Sequence, residues 1–235
     1  HGGCQCKRGA SGWRQPQGRR VLGDLLELAP LTTPFGTLAI AGTHGKTTTT
    51  SMIASVLGEA GMDPTIVNGG IVKALNSNAR LGSGDFLVAE ADESDGTFLK
   101  LFPTIAVVTN IEPEHMEHYG TLEALRGAFL GFLEKIPFYG LGVLCRDHPE
   151  TRALLPLLGD KRIIGYGFDE GADIQAVALE RRNLRNCFTV LRKTPMTGTM
   201  VPLGEIQLAQ PGNHNILNAL AAIAVALELD IDWPV

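Results

Sequence analysis

The clearest pattern along the chain is an apolar run rich in β-formers, Leu38 to Ala41, which turns at Gly42, Thr43, His44 and Gly45 into a segment of helical period. Met52, Ile53, Val56, Leu57 and Ala60 fall on one face of that helix, and Gly61 suits a left-handed cap at its end. Pro64 to Val67 predicts a second strand that leads into an Asn68-Gly69-Gly70 turn. Residues 71–84, rich in Gly, Asn and Ser, predict a loop. Phe86 to Ala89 and Thr104 to Asn110 read as buried strands. Residues 121–136 predict an amphipathic helix with Leu122, Leu125, Phe129, Phe132, Leu133 and Ile136 inward. A strand at 141–145, a helix from His148 to about Leu158 with Pro149 in its first turn, and a strand at 162–168 continue the alternation.

From 173 to 210 the pattern is strands alone, ADIQAVAL, CFTVLR and EIQLAQ, which predict a small, mostly antiparallel sheet added to the main one. Pro211 and Gly212 then break the chain before a long apolar helix from His214 to Leu229. Alternating strands and helices predict an α/β fold: a P-loop-containing, mostly parallel sheet flanked by helices.

Composition narrows the picture without changing it. At 235 residues, 44% hydrophobic and 19% charged, the chain has the make-up of a globular protein with a sizeable core. No apolar run approaches the ~18 residues of a membrane span, and no signal-peptide pattern is present, so a cytoplasmic protein without a membrane partner is expected. A formal net charge of −5 gives no reason to expect nucleic-acid binding. Cys4, Cys6, Cys145 and Cys187 lack the spacing of a structural zinc site and read as reduced thiols. Residues 1–20 carry five basic residues, no acidic one and no starting methionine. They read as a basic tail or an artefact of truncation, and with a short helix and linker at 21–35 they set residues 1–34 apart as a segment of uncertain origin.

Strand, glycine turn and helix are the context a phosphate-binding loop needs. The loop is the short form G-x-x-G-K-T, Gly42 to Thr47, with Ile40 where the longer pattern has its first glycine. Amides of Gly42, Thr43, His44 and Gly45 and the helix start at Thr48 would cradle phosphate oxygens. Lys46 would reach the β- and γ-phosphates and the Thr47 hydroxyl would take a place on Mg²⁺. A structural turn with a chance Lys-Thr is the alternative. The run Thr47 to Thr50 weighs against it, because β-branched residues are mediocre helix formers and four of them in a first turn imply that hydroxyls are wanted. Glu90 stands at the carboxyl end of a predicted strand, followed by Asp92, Glu93 and Asp95. It reads as a metal-holding carboxylate or as part of a solvated acidic turn. His115 and His118 lie among Glu112, Glu114 and Glu117, as a metal ligand at the nucleotide site, an independent zinc site or a solvated loop. Their place at the same predicted sheet edge favours the first. Asn215 and Asn218 share a helix face, where they either cap the helix or present amides to a base.

Together AGTHGKTTTT, VNGG, NARLGSG, AEADESD, VVTNIEPEHMEHYG, IPFYGL and GNHNILNALAAIAVA resemble the Mur ligases, from about Phe35 to Leu229. ADESD at Ala91 to Asp95, where the murein-tripeptide recycling branch reads ADEYD, is similar to the branch that joins L-alanine to UDP-N-acetylmuramate. The resemblance implies ATP-dependent amide synthesis through an acyl phosphate, for peptidoglycan assembly. Lys46 would bind phosphate, Thr47 and Glu90 a first Mg²⁺, and His115 a second. His214, Asn215 and Asn218 would recognise adenine, while His44, Asn68 and Ser94 are candidates for the sugar-peptide substrate. It also implies that 35–230 is a central ATP-binding domain, that 231–235 begins a C-terminal domain, and that N- and C-terminal domains outside this chain are needed for ligation. A nucleotide-hydrolysing P-loop switch is the reading from another class.

Overall fold

The computed structural model describes residues 36–72 and 77–232. The 1–34 tail and linker, Cys4 and Cys6, residues 73–76 and residues 233–235 lie outside the described residues. β1 (Gly36–Ala41) opens the fold and leads through the glycine turn into α1 (Lys46–Glu59). β2 (Thr65–Val72), β3 (Ser77–Arg80) and β4 (Phe86–Glu90) follow, then β5 (Ile105–Val108). A four-residue turn of helix, α2 (Met116–Tyr119), precedes α3 (Leu122–Glu134), whose Thr121 hydroxyl caps it by accepting from the Ala124 amide. β6 (Leu141–Cys145), α4 (Pro149–Leu154), β7 (Ile163–Gly167), β8 (Ile174–Arg182), β9 (Arg185–Lys193), β10 (Met200–Leu208) and α5 (Asn213–Glu228) complete it.

Among the described residues the ten strands form one sheet, in the order β10-β9-β8-β7-β6-β5-β1-β4-β2-β3. The small, mostly antiparallel part expected from 173 to 210 is present as β8, β9 and β10, joined edge to edge to the main sheet. β8 pairs parallel with β7 through Tyr166 and Gly167, so β8, β9 and β10 extend the main sheet before turning antiparallel. A strand whose backbone groups match an open edge satisfies them there, and no second sheet is needed. The loop expected at 71–84 is corrected where strands take its place, at residues 71–72 and at Ser77–Arg80. β2 runs through Asn68-Gly69-Gly70 to Val72 and pairs antiparallel with β3, with its register broken between Val67 and Val72. The glycines serve a bulge rather than a turn, because the Gly69 amide leaves the ladder to donate to Glu90 Oε2 at 2.9 Å.

Successive β1 residues face opposite layers, as a pleated strand requires. Leu38 and Ile40 pack with Ile53 and Leu57 of α1 and with Leu220, Ala221 and Val225 of α5. Ala39 and Ala41 face the other layer, where Phe98, Phe129 and Phe132 take up the room the small side chains leave. Phe98 lies between the other two rings, its centroid 5.2 and 5.3 Å from theirs. Two expected helices are modified. The inward face of α1 begins at Thr49 and Thr50, and Ala60 is exposed at its C-cap, where Gly61 at φ +75° supplies the left-handed end. The helix expected to Leu158 is regular only to Leu154 and tightens to a 3-10 turn at Leu155–Leu157, since Pro156 has no amide to continue it.

Phe129→Ala should cost about 3–5 kcal/mol by emptying this buried aromatic layer, whereas Phe138→Ala, at a ring 89% exposed, should stay within about 0.5 kcal/mol. Urea unfolding of the two variants checks the contrast, and equal losses would contradict the layer assignment.

Candidate functional site

The carboxyl ends of β1, β4 and β5 lie side by side, with Ile40 opposite Glu90 and Ala41 opposite Val108. The chain leaves β1 in one direction and returns to β5 on its other side, which opens a crevice at this edge. The glycine loop occupies it. Gly42 (φ +132°) and Gly45 (φ +84°) adopt backbone angles that side chains disfavour, and both sites are also closed to a Cβ. At Gly42 it would lie 2.1 Å from Thr109 Oγ1, and at Gly45 2.7 Å from Asn218 Oδ1.

The residues after β5 hold the loop from outside. The Thr43 amide donates to the Asn110 carbonyl (3.1 Å) and the Thr43 hydroxyl accepts from the Glu112 amide (2.8 Å). The His44 amide donates to Asn110 Oδ1 (2.8 Å), while its carbonyl accepts from Thr109 Oγ1 (2.7 Å) and Asn110 Nδ2 (3.0 Å). His44 itself is exposed, with Nε2 at 3.6 Å from Glu112 and 3.4 Å from Glu114.

Lys46 starts α1 and folds back under the loop. Its Nζ donates to the Gly42 carbonyl at 2.7 Å and lies 2.9 and 2.8 Å from the two Glu93 oxygens. Burial pushes the Glu93 carboxyl above its ordinary range against the opposing pull of Lys46. The Tyr119 hydroxyl donates to the Glu93 carbonyl oxygen, and burial together with the negative charge of Glu93 pushes that phenol up to about 12. At the next residue, Thr47 Oγ1 meets Glu90 Oε2 at 3.0 Å, the oxygen that also accepts from Gly69. Asn68 lies beside them, its Nδ2 reaching Ser51 Oγ at 3.3 Å and the Thr47 carbonyl at 3.4 Å, while its buried Oδ1 has no partner. Thr47, Glu90, Lys46 and Asn68 are therefore gathered at one edge. Thr48 is half-buried on the first turn beside them.

The remaining predicted residues divide. Asn218 reaches the loop through α5: its Oδ1 accepts from the buried Thr49 hydroxyl at 3.2 Å, and its Nδ2 approaches Asn215 Oδ1 at 3.3 Å. Asn215 donates to the Pro211 carbonyl at 2.7 Å and closes the turn before α5, which is not a cap: the cap position is Gly212, and no side chain caps the helix amides. His214 is exposed, next to Gly212 at φ +94°. The Ser94 amide donates to Asp92 Oδ1 at 3.0 Å within the acidic turn. His115 begins α2 at φ +56° with Nδ1 3.8 Å from Glu117, and among the described residues no three His, Cys, Asp or Glu side chains gather to hold a metal. His115 and Glu90 are thus not joined in one protein-built ligand cluster.

Sequence reasoning missed Glu93 as the partner of Lys46, the Thr109-Asn110 brace and Asn186. Asn186 is buried on β9, and its Nδ2 donates to the carbonyls of Gln210 (2.8 Å) and Gly212 (3.1 Å), fixing the approach to α5. The place of Thr109 and Asn110 at the end of a predicted buried strand was the one signal available; which backbone they brace depends on strand order. Gly42→Ala should lower stability by about 1–3 kcal/mol through backbone strain alone, with the Thr109 clash added, and a urea midpoint equal to wild type would contradict this loop geometry.

Comparison with known proteins agrees with the architecture. The pattern of the Mur ligase middle domain matches residues 40–226. A UDP-N-acetylmuramate--L-alanine ligase of Magnetococcus marinus is 59% identical over 197 residues, 83% of this chain and 41% of that protein. One of Novosphingobium aromaticivorans is 51% identical over 205 residues, 87% of this chain and 43% of that protein. Among solved structures, the UDP-N-acetylmuramate-alanine ligase of Thermotoga maritima superposes with a TM-score of 0.74 at 29% identity, covering 91% of this chain and 46% of that one. The UDP-N-acetylmuramate:L-alanyl-gamma-D-glutamyl-meso-diaminopimelate ligase of Neisseria meningitidis gives 0.74 at 28%, covering 94% and 74%. The chain thus spans about two fifths of the length of the curated relatives it matches. With the family pattern running from β1 to α5 over this sheet and its glycine loop, the chain belongs to the Mur ligase middle-domain family.

Proposed function

We propose that residues 35–230 are the ATP-binding part of a ligase that joins L-alanine to UDP-N-acetylmuramate in peptidoglycan precursor synthesis. The observation that carries this is the meeting of Thr47 and Glu90, beside Lys46, on a glycine loop at the carboxyl edge of a parallel sheet. A hydroxyl and a carboxylate are the hard oxygen donors that suit Mg²⁺, and the buried, unpartnered Asn68 Oδ1 adds a polar atom beside them. Thr47 and Glu90 would hold a first Mg²⁺ and His115 would serve a second; bound there, the ions neutralise phosphate charge.

The chain's own residues do the rest by position. A carboxylate is a poor electrophile, so the muramoyl carboxylate oxygen attacks the γ-phosphorus of ATP and ADP leaves. The amine of L-alanine then attacks the acyl phosphate, forming the amide and releasing phosphate. Loop amides and Lys46 hold phosphoryl oxygens where charge spreads during transfer. His214, Asn215 and Asn218 serve adenine, and His44, Asn68 and Ser94 the sugar-peptide substrate. Domains beyond this chain, implied by the greater length of the relatives, complete both substrate sites, and the reaction belongs in the cytoplasm. Among the described residues no helix is long and apolar enough to cross a membrane.

A second reading, a tripeptide-recycling ligase, is supported by the Neisseria structure. The Ala91 to Asp95 sequence and the higher identity of the alanine-adding relatives favour the first. Calorimetry with Mg·ATP should show metal-dependent binding that Lys46→Ala weakens by roughly a hundredfold or more. Glu90→Gln should still bind nucleotide but lose the dependence on Mg²⁺. In the full-length enzyme, phosphate release that requires L-alanine supports the first reading; release with a tripeptide alone replaces it with the second.

A further inference from the structure

An ammonium has three N–H donors, and those of Lys46 are already taken. Gly42 O lies 2.7 Å from Nζ, the Glu93 oxygens lie at 2.9 and 2.8 Å, and Thr43 O is a distant fourth at 3.4 Å. Both partners are withdrawn from water, the Lys46 side chain 13% exposed and that of Glu93 3%. A phosphate oxygen that bonds to Lys46 must therefore take the place of one of these acceptors. Gly42 O is part of the loop that would bind the phosphate, with its Cα wedged against Thr109. The Glu93 carboxylate is the acceptor on a rotatable side chain. Its backbone is fixed, because the Tyr119 hydroxyl donates to the Glu93 carbonyl and the Gly96 amide does so at 3.1 Å. The carboxylate can thus swing from an anchored Cα.

We propose that Glu93 is the exchangeable counter-ion of Lys46: the Glu93 carboxylate and a nucleotide phosphate compete for one ammonium, so Glu93 sets how tightly the loop holds phosphate. The inference rests on the ATP-binding reading of the loop. Glu93 keeps the lysine charge paired under the loop when no phosphate is bound, and weakens phosphate binding by the bond that has to be surrendered and by repulsion between like charges. It is a positioning residue, acting through Lys46.

Titration of Mg·AMP-PNP, and separately of adenosine, into the chain and its Glu93→Gln variant tests this. The variant should bind Mg·AMP-PNP roughly tenfold tighter, the worth of one charge-assisted hydrogen bond no longer given up, and adenosine with unchanged affinity. A gain confined to the phosphate-bearing ligand is not a result that structural damage produces. Equal or weaker Mg·AMP-PNP binding by a folded variant, with wild type binding normally, overturns the exchange and leaves the ATP reading standing. Failure of both proteins to bind overturns both. In wild type, the NMR signals of Lys46 Nζ and Glu93 Cδ should shift together as Mg·AMP-PNP saturates the protein; a Glu93 signal that stays in place overturns the proposal whether or not the variant folds.

Discussion

The site depends on one constraint: a loop of glycines in left-handed backbone has no regular ladder of its own, so its amides and carbonyls must be satisfied by something rigid nearby. Here that support is the end of β5. Thr109, Asn110 and Glu112 between them bond the backbone or side chains of Thr43 and His44, and Thr109 fills the space a side chain at Gly42 would need. Because β5 is locked beside β1 from Leu38–Ile105 to Ala41–Val108, the brace is as rigid as the sheet core. The start of α1 inherits that position, and with it Lys46 and Thr47.

Charge burial is the second organising condition. Lys46 is pulled under the loop, where an unpaired ammonium would be costly, and Glu93 meets it from the acidic turn after β4. Glu90, three residues earlier, stays at the strand end with Thr47 and the Gly69 amide. Two carboxylates of one acidic run thus serve different partners: one ends a strand whose register fixes it, and the other follows the turn into a buried pocket beside Tyr119. The bulged β2, with glycine close to Glu90, is the price of bringing a strand edge so near a carboxylate.

At the far side, α5 joins the glycine loop to the strand-only end of the sheet. Asn186 on β9 holds the turn at Gln210 and Gly212, and Asn218 then bonds Thr49 in the first turns of α1. The antiparallel strands β8 to β10 therefore support the site indirectly, by fixing where α5 begins.

The sequence by itself determined the elements whose periodicity is local. The strand–loop–helix unit, the amphipathic α3, the Gly61 helix end and the order of most strands and helices all follow from spacing and turn chemistry, and so did the candidates Lys46, Thr47 and Glu90. Only the tertiary structure decided what depends on residues far apart in the chain. The loop expected at 71–84 gives way at Ser77–Arg80, where a short polar segment becomes an edge strand because β2 offers it a ladder. That the added antiparallel strands join the main sheet through β8 and β7 cannot be read from either strand alone. Glu93 was indistinguishable in sequence from Asp92 and Asp95 beside it; burial against an ammonium 47 residues away in the chain is what singles it out. Periodicity reports which face of an element is apolar, whereas partner choice across the sheet and pairing of buried charges are settled when distant segments are brought together.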